Sequence, residues 1–134
     1  MYSLYVWLAR GLALAVLIQV FLAGLALFQD AGRWAGHVHF GRVIAVLPAL
    51  MLAASVIARM PVSFRLSGAG LVGAALLMFV TANLPAGAGV LSALHPVLAL
   101  LMFMGAVANA RKASALVKAS RPESNVHAVR GNAG

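Results

Sequence analysis

The stretch HVHFGRVIAVLPALMLAASVI, residues 37–57, is apolar almost throughout, with a single arginine and two histidines two positions apart at its start. About 20 apolar residues is the length an α-helix needs to cross the hydrocarbon of a bilayer. In lipid such a segment satisfies its own backbone N–H and C=O groups only by forming a helix or joining a closed barrel. Working outward, similar runs extend from Leu8 to Phe28, from Leu66 to Leu84 and from Leu91 to Ala108. With 63% hydrophobic and 9% charged residues in 134, and a mean hydropathy of +1.00, the chain has more apolar side chains than a soluble domain of its size can bury. The reading is all-α: a four-helix transmembrane bundle with spans at about 8–28, 37–57, 66–84 and 91–108. A water-soluble enzyme is excluded. Cysteine is absent, which removes disulfides, thiolate metal sites and cysteine nucleophiles.

The connections carry the polar residues. Gln29 to Gly36 joins the first two spans, Arg59 to Arg65 the next two, and Pro85 to Gly89 (PAGAG) the last two. Tyr2, Tyr5 and Trp7 precede the first span, as amphipathic rings do at a headgroup boundary. There are ten Lys plus Arg against two acidic residues. Arg10, Arg59, Arg65, Arg111, Lys112, Lys118, Arg121 and Arg130 fall on the amino end, the second connection and the tail, which four spans place on one face. The positive-inside rule makes that face cytoplasmic, so both termini are expected inside the bacterial inner membrane. These cations read as topology determinants or partners of anionic lipid, not of nucleic acid. Residues 110–134 are expected to form a basic, disordered tail.

Histidines within spans are the chemical signal, because ionisable groups inside a membrane are costly. In the four-span topology, His37 and His39 open span two and His95 opens span four at the same face, so imidazoles from two helices can converge at one depth. Gly41 follows His37 by four positions and Ala99 follows His95 by four, and residues four apart share a helix face. A small residue behind each histidine leaves room for a flat macrocycle. The two halves read as a tandem pair of helical hairpins, each supplying one histidine across an axis along the membrane normal. That is the arrangement of bis-histidine axial ligation to haem b; covalent c-type attachment is excluded without cysteine. His37 and His39 point to opposite sides of the helix, and His37 is preferred as ligand because Val43, not a small residue, follows His39 by four. His39 is the substitute. Arg33 and Arg42 are placed to pair with a haem propionate, and Thr81 and Asn83 to support a propionate or an imidazole.

Other residues read structurally. Gln19, mid-span, should bond to a neighbouring helix. Pro48 should kink span two. Gly24, Gly68, Ala69, Gly70 and Gly73 suggest close helix packing. Met51, Met78, Met102 and Met104 read as core filler, and His127 as solvated.

The run QVFLAGLALF (Gln19 to Phe28), the Trp-bearing connection, the His-x-x-x-Gly at His37 and the His-Pro at His95 resemble a family of uncharacterised small four-helix bacterial membrane proteins. More distantly they resemble one half of haem A synthase, over about Val16 to Ala106. That resemblance implies a four-helix bundle with a histidine pair on the second and fourth helices facing a haem, carried here by His37 (or His39) and His95. It does not imply the oxidative chemistry: Arg33, Trp34, Ala35 and Gly36 stand where the family has an acidic residue ahead of its first histidine. The expected function is therefore a small b-type cytochrome in electron transfer or haem handling, working with a redox partner or a larger membrane complex or as a homo-oligomer, rather than an enzyme. The rival is a haem-free accessory or scaffold subunit docking through its small-residue faces. A transporter or quinone site is disfavoured, because Gln19 alone offers polarity at mid-depth.

Overall fold

In the computed structural model, which describes residues 2–85 and 88–120, the chain is helical and has four helices long and apolar enough to cross a membrane: Tyr2–Phe28, Ala31–Ile57, Val62–Ala82 and Gly89–Ala119. The first is one helix, α1 (Tyr2–Phe28). The second opens with a 3₁₀ turn (Ala31–Arg33) capped by Asp30, whose carboxylate accepts from Gly32 N at 2.9 Å. It continues as α2 (Trp34–Ile44) and α3 (Val46–Ile57). The break at Ala45 lies one turn before Pro48, which has no N–H for that turn and is itself fully buried. The third span is α4 (Val62–Ala82); a short α5 (Gly89–Ser92) leads into α6 (Leu94–Ala119).

The helices run past the expected spans, α1 starting at Tyr2 instead of Leu8 and α4 at Val62 instead of Leu66, and two of the differences bear on the site and the tail. Span two is helical from Ala31, not His37, because the Asp30 cap starts a turn within the polar connection. The fourth helix runs on to Ala119, so residues 110–119 of the expected disordered tail are helical. Asn109, Ala110 and Ala113 are buried there, against α1. Arg121, His127 and Arg130 lie outside the described residues.

The helices form a ring in which α1 packs on α6 and on α2 and α3, and α4 packs on α3 and α6. The α1–α6 contact is the most extensive. Ala9 and Ala13 on α1 and Ala106, Ala110 and Ala113 on α6 are all buried, and these methyl-sized side chains let the two backbones approach, the main source of helix association where lipid is as apolar as the core. At the end where the chain begins, Tyr5, Met60 and Phe64 are fully buried, with Tyr5 and Phe64 edge to face at 5.4 Å between ring centroids.

The expected glycine packing holds only in part. A Cβ on Gly68 would lie 3.1 Å from the backbone of Leu52, marking a close approach of α3 and α4, whereas Gly24, Gly70 and Gly73 face open space. Ala69 is exposed as well. Met51 and Met102 are buried as filler, but Met104 is 58% exposed.

The turn between α3 and α4 is a Schellman closure. Arg59 has φ 48°, its N–H reaches Val56 O at 3.0 Å, and Met60 N reaches Ser55 O at 2.9 Å.

Candidate functional site

Helix α2 packs its backbone against α1 and makes no close backbone approach to α4 or α6 among the described residues. A cleft of about 180 Å³ fills the gap and is lined from all four spans. Its walls are mostly apolar, and His37 and His95 project into it from opposite sides.

The two rings are 6.3 Å apart, centroid to centroid, and tilted by 58°. Each is held by its Nδ1. His37 Nδ1 donates to the main-chain carbonyl of Gln19 at 3.0 Å, and His95 Nδ1 donates to the carbonyl of Met78 at 3.1 Å. The Thr81 hydroxyl lies 3.5 Å from His95 Nδ1 and donates to the same Met78 carbonyl at 3.1 Å. A carbonyl can only accept, so both imidazoles carry a proton on Nδ1, and each in its neutral form presents the Nε2 lone pair to a ligand. Bonds from the far nitrogen to a carbonyl are the usual support for a metal-ligating histidine. The indole of Trp34 stands edge-on to His37 at 5.3 Å between centroids and fixes the ring further.

His37 Nε2 already has one neighbour. The Gln19 side-chain amide sits 3.2 Å from it and donates to the His37 carbonyl at 2.8 Å, while Gln19 Oε1 is buried without a partner. Gly41 makes room for this amide: a Cβ there would lie 2.6 Å from Gln19 Nε2. The sequence reading assigned the space at Gly41 to a macrocycle; in the structure the Gln19 amide occupies it. Span one therefore contributes directly to the site, which the sequence signalled only through a lone amide in an apolar run.

Ala99 is buried and lines the cleft four positions after His95. His39 is exposed and does not line the cleft. Arg42 lines it, and because span two starts at Ala31 this arginine stands near the middle of a 27-residue crossing, deeper than the sequence placed it. Arg33 lies in the exposed 3₁₀ turn and is not part of the cleft wall. Asn83 lines the cleft, though its amide donates to Phe79 O at 2.7 Å within its own helix. The described residues contain no group of three or more His, Cys, Asp or Glu side chains able to hold a metal ion, and of these types only the two imidazoles line the cleft.

A model of a family of unknown function (DUF6220) matches residues 19–83, just under half of the chain, a stretch that includes Gln19, His37 and Gly41 and ends before His95. No curated protein and no solved structure matches the chain, so the likeness to haem A synthase finds no counterpart among them.

Proposed function

We propose that the cleft binds one haem b, which His37 and His95 would hold, making this chain a small membrane cytochrome. The observation that carries the reading is the separation of the two rings. With their centroids 6.3 Å apart, the two imidazoles are close enough for one metal ion to bind a nitrogen of each. The two Nδ1–carbonyl bonds and the gap between α2 and its neighbours support it. When bound, haem supplies one-electron redox chemistry, and two histidine ligands favour electron transfer or haem carriage over oxygen binding.

The chain's own residues then have distinct tasks. Gln19 and Met78 carbonyls orient the ligand rings. The Gln19 amide must leave His37 Nε2 for that nitrogen to ligate. Arg42, with Asp30 the only acidic side chain among the described residues and well above it in the first connection, is the cation for a propionate. The described cations Arg10, Arg59, Arg65, Arg111, Lys112 and Lys118 gather at the end where α1 begins and α6 ends, which supports an orientation with both termini in the cytoplasm of a bacterial inner membrane.

An absorption spectrum of the detergent-solubilised protein from haem-replete cells tests this directly. A sharp Soret band with reduced-minus-oxidised peaks, lost in His37→Ala and in His95→Ala, is the expected result; a colourless preparation overturns it. The second reading, a haem-free subunit of a larger complex, draws on the open faces at Gly70 and Gly73. It predicts a colourless protein whose co-purifying partners are lost when Gly70 or Gly73 is enlarged.

A further inference from the structure

At the opposite end of the bundle from the histidine cleft, a second cleft lies between α1 and α6. Ser3, Trp7 and Arg10 line it from α1, at spacings of four and three, and Ser114 and Lys118 line it from α6, four apart; Val6 and Val117 form its floor. Helical periodicity puts each set on one face, so the cleft is written into the register of both helices.

Its polar groups are cations and hydroxyls only. Arg10 lies over the Trp7 ring at 5.4 Å from the centroid, with Nη2 at 3.5 Å from Ser114 Oγ. The guanidinium is thus held over the indole and by one edge, which leaves further donors for a ligand. Lys118 stands on the facing helix. The described residues offer no carboxylate here, since Asp30 follows the far end of α1. Lys112 on the same helix is otherwise engaged, donating to Ser63 Oγ at 2.7 Å and lying 4.9 Å over the Phe64 ring. Two cations and two hydroxyls over an apolar floor are suited to one phosphate group.

The depth says which phosphate. Arg10 is eighteen residues before Phe28 on one helix, about 27 Å at 1.5 Å per residue, against hydrocarbon about 30 Å thick. That puts Arg10 and Trp7 at the headgroup level, where indole rings concentrate. Trp7 is 67% exposed and Leu4, one turn before it, 55%, so apolar surface for an acyl chain adjoins the cations. We infer that this cleft is a binding site for the phosphate of an anionic phospholipid, held between Arg10 and Lys118.

Trp7 is one of two tryptophans, which gives the site its own reporter. In a Trp34→Phe background reconstituted into vesicles, lipids with brominated chains quench Trp7 fluorescence according to their occupancy beside it. Brominated phosphatidylglycerol should quench more than brominated phosphatidylcholine. In Arg10→Gln/Lys118→Gln that preference should fall by about fivefold per cation removed, while Arg111→Gln, on an exposed cation outside the cleft, retains it. Absence of a preference in the parent protein, or an equal loss in Arg111→Gln, overturns the site. Loss of the preference on adding inorganic phosphate at constant ionic strength assigns the cleft to free phosphate and overturns the lipid. Helical circular dichroism of each variant shows that it has folded. None of these readouts involves haem.

Discussion

Gln19 and His37 clasp each other twice: the Gln19 amide donates to the His37 carbonyl at 2.8 Å, and the Gln19 carbonyl accepts from His37 Nδ1 at 3.0 Å. One bond uses the side chain of α1 and the main chain of α2, and the other does the reverse. The clasp joins two helices that otherwise meet across small residues, and it sets the rotation of α2 that turns His37 inward.

Gln19→Leu removes half of the clasp. Interhelical side-chain bonds in membranes average about 0.6 kcal/mol and reach about 1.7, so a loss of about 1 kcal/mol in unfolding free energy is expected from denaturation in mixed micelles. The Nδ1 bond goes to main chain and survives. A haem-loaded Gln19→Leu protein should therefore keep its bis-histidine spectrum, and loss of that spectrum would show that the amide, not the carbonyl, positions the ring.

His39 supplies the internal control for the histidine assignment. It is exposed on the opposite side of α2 from His37. His39→Ala should leave the Soret band and the dithionite difference spectrum unchanged, whereas His37→Ala removes them. The reverse pattern would mean that α2 is rotated by about half a turn in the membrane.

Gly68 and Gly73 lie on one helix and should respond oppositely to the same methyl group. The Gly68→Ala Cβ would meet Leu52 Cα at 3.1 Å, a contact with backbone that cannot swing aside. Forcing α3 from α4 in this way costs about 1–3 kcal/mol. Gly73→Ala meets nothing within 4 Å, and should be neutral or stabilising by up to about 1 kcal/mol through helix propensity. Melting temperatures of the two variants, taken side by side in one detergent, decide the matter.

Asn109 ties three helices together. It accepts from the Tyr5 hydroxyl at 2.8 Å, donates to Ser67 Oγ, and donates to Gly105 O at 2.8 Å within its own helix. Asn109→Leu strands the buried Tyr5 hydroxyl and should destabilise by about 1–2 kcal/mol. Tyr5→Phe alone should cost less, and the double variant less than the sum of the two. Strict additivity would mean that the bond contributes nothing.

Much of the site could be read from residue spacing. His37, Gly41, His95 and Ala99 all line one cleft, and Arg42 joins them. Arg33 does not, because Asp30 caps a 3₁₀ turn that holds it out in the connection. Ala110 and Ala113 read as part of a polar tail because hydropathy falls there; the structure buries both on a continuous helix. The alanines of the α1–α6 contact were invisible for the converse reason: in an apolar run an alanine that faces a helix looks the same as one that faces lipid.

The sequence alone determined that there are four crossings, since hydropathy is a local sum and each run contains enough apolar residues by itself. It also put the two histidines at the same end of the bundle, because an even number of crossings separates their positions in the chain. The inward rotation of α1 was decided only by tertiary contacts. In water an apolar stripe turns a helix towards its core, but α1 is nearly uniform around its circumference and lipid is as apolar as the interior. What orients these helices is therefore packing of alanines and a few buried hydrogen bonds, the Gln19–His37 clasp among them, and those partners are identified only once distant segments lie side by side.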